Sequence, residues 1–397
     1  MFKVWVRRVL LLGFVAAVAL FGALWLEHRT ELTLPTPTGP FAVGRAIYDW
    51  TDDAHADTLA PLPAKRELLV WIWYPAVGQS GATDDYVPAQ IRAAAPPLGG
   101  PLGLVTRDLA KVHGHSIGNA DVSPQQRSYP VVIMRTGASA ETSRYTTLAA
   151  DLASHGYIVV GFDAPYRTWA VVFPDGRVMR RTPENNPERC EDVPAQQEAC
   201  ASRIITAWTA DMSFVLDRLD QLNRSDGSKF TGRLDMTRVG AFGHSFGGAQ
   251  SAQFCHDDSR CKAGIDIDGQ PFGNVVQEGL HQPFMFLMGD HGDTSDPVSR
   301  AILGKIQSIY YRLPPDGRQR VAIRGANHFL FSDDGALLKS HIVMGTLRMF
   351  GIVGIDGRRQ LAVTAYCVRR FFDAYLKGAG APRLNIASPL YPEIELE

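Results

Sequence analysis

Short apolar runs alternate with amphipathic stretches along most of the chain after residue 41. The runs are rich in β-branched and aromatic side chains, as in strands, and some are continuous enough for a strand buried on both faces. They lie at residues 43–50, 67–74, 130–134, 157–163, 239–242, 262–268, 284–288 and 320–323. Helical periodicity predicts helices at residues 144–155, 204–222 and 359–376. Strands alternating with helices predict an α/β fold, with a mostly parallel central sheet covered by helices on both faces.

The chain length allows more than one domain, but the pattern favours a single large one. At about 100–200 residues per domain, 397 residues are enough for two or three. No second apolar core and no internal repeat is visible in the sequence. Residues 41–397 are therefore predicted to form one catalytic domain.

The first 28 residues have a different pattern from the rest of the chain. Lys3, Arg7 and Arg8 precede an uncharged apolar run of 18 residues at 9–26. A helix of that length reaches about 27 Å, close to the hydrocarbon thickness of about 30 Å. A basic segment before an apolar run is typical of export signals, so residues 1–28 are predicted to be a signal anchor or a signal peptide. A buried helix of the fold is the alternative.

Cleavage of this segment is the less favoured outcome. The A-x-A-like site in the segment, at residues 17–19, lies inside the apolar run. The positive-inside rule would keep the basic end in the cytoplasm and send the catalytic domain across the membrane. Such a protein would face the periplasm or the cell exterior, or be secreted if the segment is cleaved. Residues 29–40, with three prolines, are predicted to be a short stiff linker.

The cysteine pattern fits an exported protein. Cys190 and Cys200 bracket one polar stretch, and Cys255 and Cys261 bracket another. In an oxidising compartment, these two short-range pairs are the natural disulfides, with free thiols as the alternative. Neither pair has zinc-site spacing, so no metal site is predicted. Cys367 lies in a helical pattern and is predicted to be buried.

Composition and charge exclude several classes of protein. Hydrophobic residues make up 45% and charged residues 20%, which is ordinary globular usage and excludes a disordered or coiled-coil chain. The formal net charge is −1, from 40 basic and 41 acidic residues. Because nucleic-acid binders usually carry a broad positive field, no nucleic-acid partner is predicted.

The clearest chemical motif is Gly243-His244-Ser245-Phe246-Gly247. A G-x-S-x-G pattern is common by chance, but here it joins a predicted strand to a predicted helix. This context is the nucleophile elbow, in which a sharp turn exposes the serine hydroxyl above the sheet. Ser245 is therefore the candidate nucleophile.

A serine hydroxyl needs a base to take its proton and an acid to orient that base. His328 follows the strand at 320–323, where such folds carry the base, and it is the candidate. Asp268 and Asp293 follow successive strands and are nearly equal candidates for the acid. Asp266 shares a strand face with Asp268 but lies two residues deeper, so it is weaker.

Other histidines after the elbow are weaker candidates for the base. His341 lies in a helical pattern rather than in a loop, and the rest are interpreted as polar loop or surface positions. These are His256, His281 and His291.

Four segments resemble the platelet-activating factor acetylhydrolase family of isoform II and its bacterial relatives. They are residues 130–160, GHSFGGA at 243–249, GIDIDGQPFG at 264–273 and IRGANHF at 323–329; WYPA at 73–76 is also similar. The resemblance implies an α/β-hydrolase with Ser245 as nucleophile, His328 as base and Asp268, rather than Asp293, as acid.

The resemblance also implies an oxyanion hole formed by the backbone amides of Ala138 and Phe246. The family usually has His-Gly-Leu-Gly in the first of these loops, where this chain has Thr136-Gly137-Ala138-Ser139. Backbone amides do not depend on the side chain, but the altered loop leaves their geometry open. Arg135, just before the loop, either meets an anionic substrate group or points to solvent.

Residues 169–200 interrupt the pattern between a strand and a helix. The sequence at 171–179 predicts a hairpin with a short turn at 174–176. This segment follows a strand that ends at the active-site edge of the sheet. The hypothesis is that the hairpin and the Cys190–Cys200 loop form part of the substrate cleft, with an ordinary surface excursion as the alternative.

Together, these features predict an exported serine ester hydrolase that requires no cofactor. The resemblance implies short-acyl or oxidised phospholipid esters as substrates, with the N-terminal segment holding the protein at a membrane. A general carboxylesterase or polyesterase, or a peptidase on the same fold, is the alternative. An inactive hydrolase-fold scaffold is the alternative from another class.

Overall fold

A computed structural model gives the structure of the chain. It describes residues 2–78, 83–94, 103–104, 106–191, 196–292, 294–337, 341–351, 353–378 and 385–397. The alternative acid Asp293 lies outside the described residues.

In the described ranges the chain forms fourteen strands. They are β1 Leu32–Thr33, β2 Ala42–Ala56, β3 Lys65–Ala76, β4 Val112–His113, β5 Ser116–Gly118, β6 Tyr129–Arg135, β7 Ile158–Asp163, β8 Ala170–Val172, β9 Val178–Arg180, β10 Leu234–His244, β11 Cys261–Ile267, β12 Phe284–Met288, β13 Arg318–Ile323 and β14 Ile394–Leu396. Eleven α-helices occur in the same ranges. They are α1 Phe2–His28, α2 Ala89–Ala94, α3 Thr146–Ser154, α4 Glu188–Glu191, α5 Gln197–Arg224, α6 Phe246–Asp257, α7 Val275–Glu278, α8 Pro297–Tyr310, α9 Asp334–Leu337, α10 His341–Met349 and α11 Gly357–Leu376.

Ten of these strands form one sheet, in the order β14-β13-β12-β11-β10-β6-β7-β3-β2-β5. The central pairings from β7 through β6, β10, β11 and β12 to β13 are all parallel. The β2–β3, β3–β7 and β13–β14 pairings are antiparallel. The predicted mostly parallel α/β sheet is therefore confirmed, with antiparallel strands toward its edges.

The two faces of the sheet carry separate apolar cores, because successive strand side chains point to opposite faces. In β3, Leu69, Trp71 and Trp73 pack into one core, which also contains side chains of α3 and α11. Leu68, Val70 and Ile72 pack into the other, against α5, α6 and α8. The helices on both faces bury the sheet, as the continuous apolar runs predict.

The predicted elements lie at the observed positions, but several are longer than predicted, since α5 begins at Gln197 and β2 ends at Ala56. The predicted helix at 144–155 begins as a 3₁₀ turn at Thr142–Tyr145 and continues as α3. Gly156 has φ 88° and supplies the left-handed residue that ends this helix. The predicted hairpin is present as the antiparallel pair β8–β9, with Gly176 at φ 89° in its turn.

The N-terminal segment forms the long helix α1. Its part Val4–His28 is long and apolar enough to cross a membrane, and its most apolar window of 18 residues has a mean hydropathy of 2.6 and is 6% buried. A cleaved signal sequence has the same composition, so the helix fits a signal or an anchor. Its last turn contacts the domain, since His28 Nδ1 lies 2.8 Å from the carbonyl oxygen of Thr106.

Residues 29–40 lie against the catalytic domain instead of spanning open space as a linker. Leu32 pairs with Val112 in a short parallel bridge between β1 and β4. Leu34 is buried, and the Thr38 amide donates to Asp151 Oδ1 at 2.8 Å. The apolar side chains of Leu32 and Leu34, just before the prolines, explain these contacts, because burying them favours attachment over extension.

The structure contains both predicted disulfides. Cys190–Cys200 joins α4 to the start of α5, and Cys255–Cys261 joins the end of α6 to the start of β11. The second bond lies between the two elements that carry Ser245 and Asp268. Cys367 is a buried free thiol within α11, as predicted.

Candidate active site

Ser245 lies at the turn between β10 and α6, with φ 56° and ψ −126°. This backbone conformation is strained for a residue with a side chain, and it is typical of a nucleophile elbow. The Ser245 amide donates to the carbonyl of Ile267 at 2.8 Å, which fixes the turn against the end of β11. The chain thus has the strand–turn–helix that the G-x-S-x-G motif predicts.

The glycines on either side of Ser245 are required by close backbone approach. A Cβ atom on Gly243 would lie 2.1 Å from the carbonyl oxygen of Gly247. A Cβ atom on Gly247 would lie 2.3 Å from the carbonyl oxygen of Thr136. Neither separation is possible without moving the backbone, so the motif's glycines let the strand, the helix and the 136–139 loop meet.

Ser245, His328 and Asp268 form a continuous hydrogen-bonded chain. His328 Nε2 lies 3.2 Å from the Ser245 hydroxyl, and His328 Nδ1 lies 2.7 Å from Asp268 Oδ2. His328 opens a 3₁₀ turn just beyond β13, and Asp268 directly follows β11. The parallel strands end at one edge of the sheet, and this places the three side chains together.

The Asp268 carboxylate is fully buried and held by several donors. Its Oδ1 accepts the Gly289 amide at 2.7 Å and lies 2.6 Å from His291 Nε2. Burial opposes ionisation, but the hydrogen bonds from His291 and His328 outweigh it and hold the pKa of Asp268 well below its ordinary value. Asp268 is therefore a carboxylate near neutral pH.

The sequence pattern predicts that His291 is a polar loop or surface residue, but in the structure it contacts Asp268 and belongs to the site. The hydrogen bond to Asp268 raises the pKa of His291 above its ordinary value, against the opposing effect of burial. The signal that could have found it is its place just after β12, at the sheet edge where the acid lies.

Asp266, the weaker candidate acid, is oriented differently. Its Oδ1 accepts the Gly269 amide at 2.8 Å, and burial raises its pKa well above the ordinary value. Its side chain therefore braces the turn after β11, whereas Asp268 lies against His328.

His244 and Tyr145 form a second polar pair behind the elbow. The Gly137 amide donates to the Tyr145 oxygen at 3.1 Å, and that hydroxyl lies 2.8 Å from His244 Nδ1. Burial lowers the pKa of His244 to about 3, so its ring is neutral beside His328, with 4.6 Å between the ring centroids. This pair connects the elbow to the 136–139 loop.

Ala138 and Phe246 both border Ser245, as the resemblance implies for an oxyanion hole. The Phe246 amide is at the first position of α6, where helix amides have no partner within the helix. The 136–139 loop is held in a tight conformation, with Ser139 at φ 64° and the Ala140 amide bonded to Gly137. The altered loop sequence thus still places a backbone turn beside the nucleophile.

Arg135 neither meets solvent nor lies open to substrate. It is buried, with Nε donating to Gln250 at 3.0 Å and Nη1 donating to the Phe162 carbonyl at 2.6 Å. Its guanidinium also covers the Phe162 ring at 3.6 Å. These partners make Arg135 a support beneath the 136–139 loop.

Two pockets meet at Ser245 and Gln270. The first, here the histidine-side pocket, has a volume of about 270 Å³ and is lined by His328, His291, Met288, Ile302 and Leu303. The second, here the loop-side pocket, has a volume of about 200 Å³ and is lined by Ala138, Phe246, Phe272, Cys190 and Ala201. The nucleophile therefore has space on both sides for the two halves of an ester.

The insertion at 169–200 contributes to the loop-side pocket through its second half. Cys190 and Gln197 line the pocket, and the insertion also bonds to the 136–139 loop. Ser139 accepts the Trp169 amide at its carbonyl and donates its hydroxyl to Asn186 at 3.0 Å. The Cys190–Cys200 loop thus forms part of this pocket, while the β8–β9 hairpin is not among its lining residues.

Comparison with protein families identifies the chain. The sequence profile of platelet-activating factor acetylhydrolase, isoform II, matches residues 28–168 and 213–376. The chain belongs to this family. The two matched ranges contain Ser245, Asp268 and His328, whereas residues 169–212, which supply Cys190 and Ala201 to the loop-side pocket, lie between them.

The proteins that are similar to this chain are named as ester hydrolases. A probable 1-alkyl-2-acetylglycerophosphocholine esterase from Arthroderma benhamiae is 25% identical, over 97% of this chain and 99% of that protein. Platelet-activating factor acetylhydrolase from Cavia porcellus is 27% identical, over 52% of this chain and 48% of that protein. A solved structure of ferulic acid esterase from Streptomyces cinnamoneus has a TM-score of 0.75 and 26% identity, covering 92% of this chain and 99% of that one. The chain is therefore an ester hydrolase with the α/β-hydrolase fold.

Proposed function

We propose that the protein is a serine hydrolase that cleaves carboxylic esters through an acyl-enzyme on Ser245. The observation that carries this is the Ser245–His328–Asp268 hydrogen-bonded chain at a strained strand–helix turn. Family membership supports ester hydrolysis, and the geometry supports these residues as its machinery.

The proton path follows from the hydrogen bonds. Asp268 accepts from Nδ1–H of His328, which leaves Nε2 free to take the Ser245 hydroxyl proton as Ser245 attacks the ester carbonyl. The amides of Ala138 and Phe246 would stabilise the negative oxygen that forms. His328 then gives its proton to the leaving alcohol. In the second half of the reaction, water attacks the acyl-enzyme while His328 takes its proton, and His328 returns that proton to Ser245 as the acid leaves.

The two pockets divide the ester into its acyl and alcohol parts. The leaving oxygen must approach His328 Nε2 to receive its proton, so we assign the alcohol to the histidine-side pocket. The acyl group then occupies the loop-side pocket, beside Phe246 and Phe272. This pocket is bounded by the Cys190–Cys200 loop, which favours a short acyl group.

The favoured substrates are short-acyl phospholipid esters. This follows from the family and from the fungal relative that covers nearly the whole chain. The apolar helix α1 would hold the enzyme beside lipid. Esters of small aromatic acids are the second candidate, because the ferulic acid esterase covers 92% of the chain and two phenylalanines line the loop-side pocket.

A panel of esters tests both candidates. The panel contains p-nitrophenyl esters from acetyl to octanoyl, a 2-acetyl glycerophospholipid, methyl ferulate and an aminoacyl anilide. We expect kcat/KM to be highest for short acyl groups and to fall about tenfold for each methylene beyond what the loop-side pocket accepts. Preference for methyl ferulate would favour the aromatic candidate, and preference for the anilide would contradict ester hydrolysis.

Two matched variants test the assignment of the pockets. Ala201→Val narrows the loop-side pocket and should lower kcat/KM for butanoyl and longer esters more than for acetyl esters. Leu303→Val alters the histidine-side pocket and should change the dependence on the alcohol instead. The opposite pattern would exchange the two assignments.

We also propose that the catalytic domain is exported and anchored by α1. The helix composition and the two disulfides support this location. In cells that express the full chain, a membrane-impermeant fluorophosphonate probe should label Ser245 without lysis once any outer membrane is permeabilised. Labelling that appears only after the inner membrane is broken would place the domain in the cytoplasm.

A further inference from the structure

His291 lies outside the Ser245–His328–Asp268 chain but contacts the same carboxylate. His291 Nε2 is 2.6 Å from Oδ1 of Asp268, while His328 Nδ1 is 2.7 Å from Oδ2. The Gly289 amide also donates to Oδ1, at 2.7 Å. Two imidazoles therefore hold opposite oxygens of one fully buried carboxylate.

We propose that His291 is a positioning residue that fixes the rotation of Asp268. It also makes the net charge that the Asp268–His291 pair presents to His328 depend on pH. The inference rests on the serine-esterase function proposed above. Its physical basis is that a carboxylate with both oxygens bonded cannot rotate away from the imidazole that it orients.

The loop that carries His291 is tied to the loop that carries His328. The Asp290 amide donates to the Ala326 carbonyl at 2.9 Å, and Asp290 Oδ2 accepts the Gly325 amide at 2.8 Å. Because the two loops share these bonds, both histidines approach Asp268 from one rigid scaffold. The position of His291 relative to Asp268 and His328 is thus fixed by hydrogen bonds between the two loops.

His291 can exchange its proton with solvent, since its side chain is 47% exposed. It also lines the histidine-side pocket. Among the described residues, the other charged side chains near it are Asp290 on its own loop and, along an adjoining pocket, Arg320, Arg324, Glu395 and Glu397. Arg320 pairs with Glu397 at 2.8 Å and Arg324 with Glu395 at 3.3 Å, so these four charges largely offset each other.

The sign of the pH effect follows from the shared carboxylate. The pKa of His291 is raised by its hydrogen bond to Asp268, so His291 is cationic below that raised value and offsets the Asp268 charge. Above it, His291 is neutral and the full negative charge stabilises the imidazolium that forms on His328 during attack. A permanently neutral donor at 291 leaves the full negative charge of Asp268 beside His328 at every pH, so the acid limb of the rate profile should move to higher pH.

Two substitutions separate positioning from charge. Gln at 291 keeps an Nε2 donor without a titratable charge, whereas Phe removes the donor and keeps the ring volume. We measure the rate of Ser245 labelling by a fluorophosphonate probe across pH, using the full chain in detergent. His291→Phe should lower the plateau rate about tenfold, the usual loss for a hydrogen bond to a charged group. His291→Gln should stay within about threefold of the wild type at the plateau, since the Asp268 bond is retained.

Both variants should shift the acid limb of the profile to higher pH. His281→Gln is the matched control, because His281 is an exposed histidine before the same strand and should leave the profile unchanged. If the Gln and Phe variants lose the same amount of plateau labelling rate and the acid limb does not move, His291 only packs in its loop and the inference is overturned. Wild-type rates and profiles in both variants would do the same, and would leave the esterase proposal intact.

A second measurement decides the inference even if Ser245 is never labelled. Histidine side-chain NMR follows the titration of His291, whose midpoint should fall in Asp268→Asn because the raised pKa depends on that carboxylate. A lower His291 midpoint in this variant, together with no labelling of Ser245 in the wild type, would contradict the esterase function but support the coupling of His291 to Asp268. An unchanged midpoint would overturn the coupling itself.

Discussion

Ser245→Ala is expected to lower kcat for every hydrolysed ester by at least about 10⁴-fold, because removing a nucleophile removes the acyl-enzyme route. KM should change little, since Ser245 contributes one oxygen atom to the pockets. The measurement is ester turnover on the best substrate of the panel, together with fluorophosphonate labelling, which should disappear.

The matched control is Ser259→Ala. Ser259 is exposed beyond the far end of α6, and it accepts the Lys262 ammonium at its backbone carbonyl rather than at its hydroxyl. It should retain wild-type turnover. Retained turnover in folded Ser245→Ala would mean that another residue performs the attack, and absent turnover in the wild type would favour a binding or scaffold protein with this fold.

Asp268→Asn is expected to lower kcat by about 10⁴-fold. Asn presents an amide to His328 in place of a carboxylate, so it can hold the imidazole in the wrong tautomer and cannot stabilise the imidazolium. The loss should be in kcat rather than KM, because Asp268 acts on the transition state through His328. Steady-state kinetics on the best ester measure both.

Asp266→Asn is the control that the strand itself provides. Asp266 lies two residues earlier on the same strand face, and its Oδ1 accepts the Gly269 amide at 2.8 Å, a bond that the oxygen of Asn can also accept. The substitution should leave kcat within a few-fold. A large loss of kcat in Asp266→Asn with a small loss in Asp268→Asn would mean that Asp266, and not Asp268, is the acid.

Much of the candidate site follows from local sequence. Ser245 is marked by two glycines that only a crowded strand–helix turn requires, and the structure has both close approaches. His328 is marked by its place beyond a strand, because chemistry in such sheets collects at the carboxyl ends of the strands. Position alone left Asp268 and Asp293 nearly equal, and the family resemblance favoured Asp268; in the structure Asp268 lies 2.7 Å from His328.

Other features depend on contacts between distant segments. His291 and Asp268 are 23 positions apart. The place of His291 after β12 puts it at the same sheet edge, but the shared hydrogen bond forms only when β11 and β12 pair. Arg135 illustrates the opposite error, because a charged residue at a strand end suggests exposure. Its partners Gln250 and Phe162 come from other elements and bury it. The contacts of residues 29–40 have the same origin, since Leu32 and Leu34 find partners only in the folded domain.

The sequence by itself determined the α/β class, the apolar N-terminal helix, the disulfide pairs and the candidate nucleophile and base. These depend on periodicity, short spacing and local turn chemistry, which act over a few residues. The tertiary structure decided the orientation of Asp268 between two histidines, the two pockets at Ser245 and the attachment of residues 29–40. Such features arise where strand ends and loops far apart in sequence meet, so their geometry is fixed only when the sheet is assembled.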